Sequence, residues 1–343
     1  MNIPWYQCGT TDMSQILSSR VRLARNIKKY PFQKKLTDKD AAAMVLDVKL
    51  AVSKEGATRM FHQLNIQELG ETEQNVFLEK HIVSPEFLRG TLPKGLLVSD
   101  DQNVSVMVNE EDHLRIQSVY PGDGLATAFE TANEIDDLIE ESLEFAFHSE
   151  YGYLTACPTN IGTGLRASYM IHLPCLELSD QLKKIAQHIA TLGITLRGIY
   201  GEGTAPMGSI YQISNQRTLG KTEEDIITTL QNVTKDVINH ENHARDNFLA
   251  TRRNYLEDKV CRSHGLMSCC RIMTTQEAMG RLSDIRLGYL SGLLDAPKPA
   301  KPIYQIMMGI GSGHLQRIAG KDMNDQERDI ARATYLREVF TSK

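Results

Sequence analysis

What this sequence can fold into is limited most by strand-like segments that follow one another with little helix between them. Residues 104–108 (VSVMV) alternate with period two, as do residues 114–116, and the polar run NEEDH separates them. That pattern predicts an antiparallel hairpin with NEED at or near its turn. Further short strands are predicted at 168–173, 194–199 and 209–214. Strand and helix do not alternate regularly, which argues against a doubly wound parallel sheet.

Helical segments frame this region. Residues 38–54 read as a helix, with Thr37 as N-cap and Asp40 as its capping-box partner. Residues 130–147 carry many acids and no Lys or Arg, and Ile135, Leu138, Ile139 and Ala146 fall at helical spacing. An amphipathic helix with an acidic outer face is predicted there. A long helix is predicted at 223–245, capped by Thr222. After about residue 250 the character changes: 275–290 and 325–340 are helical by pattern, and DAPKPAKP at 295–302 reads as a loop. The expected organisation is a tail at 1–13, an α+β domain at 14–250 and a helical domain at 251–343.

Composition narrows the function. The 343 residues are 41% hydrophobic and 24% charged, with a formal net charge of −5. That is globular composition, and the charge balance does not suggest a nucleic-acid or membrane binder. No apolar stretch approaches the length of a membrane span, and the first residues do not read as a signal peptide. Cys8, Cys157, Cys175, Cys261, Cys269 and Cys270 show no C-x-x-C spacing. A disulfide framework or zinc site is therefore not expected, and a reducing, cytoplasmic setting is.

The familiar nucleotide signatures are absent. GKT at 220–222 resembles the end of a P-loop, but Asn215 stands where the first Gly is needed. Gly220 is expected to end one element and Thr222 to cap the next. GIGSGH at 309–314 has His314 where a G-x-G-x-x-G fingerprint needs its last Gly, and reads as a loop. The H-R-D and D-F-G signatures are missing.

Five segments stand out: SSRVRLARN at 18–26, EKHIVSP at 79–85, NEEDHLR at 109–115, CPTNIGTGLRAS at 157–168 and RGIYGEGT at 197–204. Four place an Arg beside Gly, Ser or acidic residues. Singly, each could be a solvated strand, an acidic turn or a tight loop. Together they resemble the catalytic domain of the phosphagen kinases, the creatine and arginine kinase family, in order and spacing across about 14–250. CPTNIGTGLRAS is highly specific to that family. Phosphagen kinases carry a whole helical domain before SSRVR; here 17 residues precede Ser18 and a helical region follows instead. That arrangement resembles the bacterial protein-arginine kinases, and RDIARA at 328–333 is similar to their R-D-x-x-R-A motif.

The resemblance implies an antiparallel sheet flanked by helices, with a C-terminal helical domain. It implies an ATP- and Mg²⁺-dependent transfer of the γ-phosphoryl group to arginine side chains of proteins. Arg20, Arg22, Arg115, Arg166 and Arg197 would ring the nucleotide phosphates, joined by Ser19, Ala167, Ser168 and Gly198. Gly162 and Gly164 would let backbone come close. His81 would lie near the nucleotide, and Met170 stands where some relatives have His. Glu110 could orient waters on Mg²⁺, with no direct metal ligand from the chain. Glu111 and Glu202 would hold the acceptor guanidinium, with Glu202 the first choice of base, and Cys157 would position the substrate. Arg328, Asp329 and Arg332 would form an allosteric phosphoarginine pocket. The same resemblance implies a role in stress response and protein quality control, marking of substrates for a Clp ATPase and protease, a zinc-finger activator named McsA, and a homodimer or higher oligomer. Two other readings remain: a small-molecule guanidino kinase acting on free arginine, and a phosphoarginine-binding module without catalysis. Both glutamates and all five arginines are present, which argues against the second.

Overall fold

The computed structural model describes residues 4–7, 13–53, 59–198, 207–296 and 298–341. The chain divides into two compact units. The first comprises residues 1–8, 18–168 and 214–230, and the second residues 9–17, 169–213 and 231–343.

In chain order the strands and helices up to residue 172 are β1 (Ile16–Arg25), α1 (Asp38–Val52), β2 (Phe61–Leu64), α2 (Glu71–Glu79), α3 (Pro85–Leu88), β3 (Gly95–Ser99), β4 (Val104–Val108), β5 (Leu114–Pro121), α4 (Leu125–Glu140), β6 (Phe147–His148), β7 (Gly152–Tyr153) and β8 (Leu165–His172). There follow α5 (Pro174–Leu178), α6 (Leu182–Thr191), β9 (Ile194–Gly198), β10 (Ile210–Asn215), α7 (Glu223–Thr251), α8 (Arg253–Cys269), α9 (Thr275–Leu290), α10 (Ile303–Gly309), α11 (Ser312–Ala319) and α12 (Asp325–Thr341). Eight strands form one sheet in the order β2-β3-β4-β5-β1-β8-β10-β9, and β6 pairs with β7. The pairs β2–β3, β3–β4, β4–β5 and β1–β5 are antiparallel.

The hairpin predicted around NEED is β4 and β5, with Val108 opposite Leu114. β4 is buried along its whole length, so its period two does not separate core from solvent. Ser105 is accommodated because its hydroxyl donates to the Ile82 carbonyl at 2.8 Å, which satisfies a group that would otherwise be costly to bury. α1 begins where its cap predicts: Thr37 Oγ1 accepts from the Asp40 amide at 3.2 Å.

α4 departs from the prediction. It starts at Leu125, directly after Gly124, and ends at Glu140 rather than continuing to 147. The backbone beyond it is engaged elsewhere: Lys28 N donates to Glu144 O at 2.9 Å and Ala146 N to Asn26 O at 2.7 Å. Backbone groups held by the segment that follows β1 cannot also close helical turns.

In the second unit α9 runs from Thr275, with Thr274 accepting from the Glu277 amide, to Leu290, as its periodicity predicts. It packs on α8, α10 and α5. Gly288 is needed for this, because a Cβ there would collide with Val260. GIGSGH is not a loop: Gly309 closes α10, and residues 312–314 open α11. Buried Ile306, Ile310 and Leu315 explain the difference, since those side chains cover the core on either side of the break.

Candidate active site

Alternation along β1 puts Arg20 and Arg22 on one face and Ser19 and Val21 on the other. Arg115 stands opposite Ala24, and Gln117 opposite Arg22, on antiparallel β5. Arg166 lies on β8, the neighbour of β1 on its other side. Within the first unit Arg22, Ala24, Glu111, Arg115, Cys157, Thr159, Asn160, Gly164 and Arg166 line a cavity of about 100 Å³.

The electrostatics are one-sided. Burial, and then the charges of Arg20, Arg115 and Arg166, hold the Arg22 guanidinium well below its ordinary pKa, with Glu110 opposing them. The Nε of Arg22 is buried without a hydrogen-bond partner among the described residues. Clustered cations of this kind are costly until a polyanion arrives.

Glu110 offsets part of this charge. Its Oε1 accepts from Arg115 Nη1 at 2.8 Å and from the Ser84 hydroxyl. Its Oε2 is buried with no hydrogen-bond partner among the described residues. Glu111, next in sequence, is exposed. Partial loss of solvent around its carboxyl, and then the charge of Asp112, nevertheless raises its pKa above the ordinary glutamate value, while Arg115 pulls it down. The loop carrying both glutamates is held firmly. Asn109, at φ +67°, donates through its side chain to Pro93 O at 2.8 Å. Asp112 Oδ1 accepts from Asn26 Nδ2 and from the Ala156 amide, each at 2.6 Å.

The segment from Cys157 to Gly164 forms the opposite wall. Cys157 is partly exposed, with Sγ 3.0 Å from Thr159 Oγ1. Gly162 and Gly164 have φ of +113° and +64°. A Cβ on Gly162 would lie 2.6 Å from Thr218 O, and one on Gly164 2.6 Å from Ala24 O. The close approach that these glycines permit is thus of chain to chain within the protein.

The remaining expected residues have separate settings. His81 closes α2 in the left-handed region at φ +58°, with Ile82 N donating to Phe77 O. Burial, and then the charge of Arg20, push its imidazole down to about 4. Ser19 is fully buried; its hydroxyl donates to Gly122 O at 2.6 Å and accepts from Gly124 N at 2.9 Å. Ala167 is buried and its amide donates to Asn215 Oδ1 at 2.8 Å. Ser168 and Met170 are buried on β8. Arg197 and Gly198 end β9 in the second unit, and Glu202 lies outside the described residues. Arg328, Asp329 and Arg332 share α12. Arg332 is buried and donates to Ile310 O at 3.0 Å, Met273 O at 2.8 Å and Asp329 Oδ1 at 2.5 Å. Arg328 donates to Met323 O at 2.6 Å and pairs with Asp325.

Sequence reading did not single out Ala24, Thr159 or Asn160 as site residues. Ala24 could have been found from the period of β1, two residues beyond Arg22. Thr159 and Asn160 sit inside a segment that was otherwise recognised. No group of three or more His, Cys, Asp or Glu among the described residues is arranged to hold a metal ion.

Arginines from β1, β5 and β8, adjacent in one sheet, thus meet at one cavity, an arrangement suited to binding phosphate oxygens. A family model described as "ATP:guanido phosphotransferase, C-terminal catalytic domain" matches residues 43–244, and one described as "Protein-arginine kinase McsB C-terminal domain" matches residues 253–343. The chain belongs to the ATP:guanido phosphotransferases, within the protein-arginine kinase family. The protein-arginine kinase of Halothermothrix orenii is 43% identical over 323 residues, covering 94% of this chain and 92% of that one. That of Bacillus cereus is 42% identical over 341 residues, covering 98% and 95%. Among solved structures, the duplicated taurocyamine kinase of Schistosoma mansoni with bound transition-state-analogue components aligns with a TM-score of 0.61 at 24% identity. The alignment covers 77% of this chain and 38% of that one and shows the shared fold.

Proposed function

We propose that this chain is an ATP-dependent protein-arginine kinase, transferring the γ-phosphoryl group of ATP to a guanidinium nitrogen of arginine residues in proteins. The observation that carries the reading is the meeting of Arg22, Arg115 and Arg166 with Glu111 and Cys157 at one cavity. Phosphoryl transfer needs alignment and positive charge over the moving group more than covalent help. Guanidinium forks suit it, since each binds phosphate oxygens in pairs and keeps its charge. Arg20, Arg22, Arg115 and Arg166, with Arg197, are assigned to the nucleotide phosphates. Glu110 suits a bound Mg²⁺, because its Oε2, without a partner among the described residues, can accept from a water on the ion. Held there through water, Mg²⁺ would supply positive charge to neutralise the phosphates.

The acceptor requires the opposite charge. A guanidinium has a pKa near 13.8, so removing its proton at pH 7 beforehand would cost roughly 9 kcal/mol at about 1.36 kcal/mol per pK unit. Proton loss therefore accompanies transfer, and carboxylates must both hold the fork and take the proton. Glu111 is one of the pair, and its raised pKa makes it a better base than an ordinary glutamate. Glu202 is the other. Cys157 positions the acceptor, since direct transfer needs no enzyme nucleophile.

Family membership supports the rest of the reading. Residues 14–250 form the catalytic domain and 251–343 the helical one. The protein acts in the cytoplasm as a homo-oligomer, is activated by the zinc-finger protein McsA, and marks substrates for Clp-type degradation. Arg328, Asp329 and Arg332 recognise phosphoarginine, with Arg332 as the prop and Arg328 and Asp329 facing the ligand. The deciding assay supplies ATP and Mg²⁺ with either a loosely folded protein or free arginine and measures acid-labile phosphate. Label on the protein is expected. Label on free arginine alone would make the chain a small-molecule kinase, and none at all would make it a binding module.

A further inference from the structure

We infer that the hairpin presenting Phe147, His148 and Tyr151 is the docking surface for the unfolded stretch of protein substrate that flanks the acceptor arginine. The inference rests on the proposed kinase reading and adds to it the surface that engages the substrate's chain.

The hairpin is the short ribbon β6–β7, in which Phe147 pairs with Tyr153. Phe147 is 60% exposed and Tyr151 47%, values unusual for aromatic side chains and shared here by two in one turn. These rings are already fixed. His148 and Tyr151 stack with centroids 4.8 Å apart at 21°, and Phe147 meets Tyr153 edge-on at 5.3 Å. Tyr153 in turn lies under the buried guanidinium of Arg25, 3.6 Å from its ring centre. Rings held in place lose little freedom when a partner binds.

The ribbon is continuous with the candidate site. Tyr153 N donates to Gly162 O at 2.8 Å, and Thr155 Oγ1 donates to Cys157 O at 2.8 Å. The Ala156 amide on Asp112 ties the same segment to the loop carrying Glu111. A chain with its arginine held by Glu111 therefore has this ribbon next to it. Charge agrees: from residue 116 to 165 the sequence holds acids and no Lys or Arg, with Glu150 exposed on the turn itself. That suits a cationic, arginine-bearing segment. Apolar and aromatic side chains able to meet Phe147 and Tyr151 are hidden in folded proteins, so the surface favours unfolded ones.

The test is the double variant Phe147→Ser with Tyr151→Ser, in the full-length protein. The first readout is fluorescence anisotropy of a labelled, reduced and carboxymethylated protein, which needs no catalysis. Its Kd should rise about tenfold, the scale of losing aromatic anchors in an interface. The second readout is steady-state kinetics with the same protein, where KM should rise while kcat and the KM for ATP stay near wild type. The pair Phe147→Tyr with Tyr151→Phe keeps the rings and should restore both values. An unchanged Kd overturns the inference, as does a KM for ATP that rises in step, which would mean a distorted site. A variant that binds substrate normally but changes in sedimentation overturns it in favour of a contact between copies of this chain. If the wild type labels no protein at all, the kinase reading fails, and the anisotropy result still decides the docking surface by itself.

Discussion

At the scale of single residues, the site is a balance of charges before any ligand binds. Arg22 is buried among like charges, which Glu110 offsets in part. Arg166 contributes to it as a fork, so Arg166→Lys preserves the charge and loses the paired contact. A fall in kcat of about 10²-fold is expected, the usual scale for one lost charge-stabilising group. Steady-state kinetics at saturating ATP will show it, and an unaltered rate would make Arg166 a structural residue. In the proposed mechanism Glu111 and Glu202 hold the acceptor and take its proton. Glu111→Gln or Glu202→Gln should lower the rate at least about 10²-fold, with ATP binding retained in calorimetry. The pH profile adds a sign. Because partial loss of solvent raises the Glu111 pKa, the acidic limb of kcat/KM should fall off through a midpoint above the ordinary glutamate value of 4.5 as pH decreases. A midpoint at or below 4.5 would remove Glu111 from the role of base.

At the scale of elements, a few buried polar contacts fix the wall of the site to its floor. Arg25 ends β1, one residue beyond cavity-lining Ala24. It donates to Asp136 on α4 at 2.7 Å and to Thr163 O at 2.9 Å, and covers Tyr153. One side chain thus joins a strand, a helix and the Gly-rich segment. Removing one partner leaves the other charge buried and unpaired, so Arg25→Ala should cost about 3–5 kcal/mol of stability. Urea unfolding monitored by circular dichroism will measure this, and a loss under about 1 kcal/mol would show that solvent replaces the pair without penalty.

At the scale of the whole molecule, α12 shows how a motif can divide its labour. Arg332 is spent on two backbone carbonyls and on Asp329, whereas Arg328 keeps partial exposure. The double variant Arg328→Ala with Asp329→Ala should therefore abolish phosphoarginine binding outside the active site while the helix stays folded. Calorimetry, sedimentation and kinase rate distinguish the outcomes. Binding as tight as wild type removes the pocket. Lost binding with unchanged rate and assembly leaves a docking role without coupling, since allostery requires one site to change the other.

Local signals in the sequence were enough for several elements. Period two placed β4 and β5, the Thr37 and Thr222 caps placed the starts of α1 and α7, and 3.6-residue spacing placed α9. Such signals are short-range: a cap or an alternation is complete within a few residues. The family motifs likewise marked out the arginines and glutamates, because their order along the chain is itself the signal. What the sequence could not determine depends on partners far away in it. α4 stops at Glu140 because Asn26 and Lys28 hold the backbone after it. Ser19, one position from a site arginine, faces the other way and secures the turn before α4. Gly162 and Gly164 are required by carbonyls of Thr218 and Ala24, and Arg332 is a prop because Met273 and Ile310 present carbonyls to it. Each of these depends on which groups meet after folding, and burial makes unpaired hydrogen-bonding groups costly enough to select among them. Only the tertiary structure contains that information.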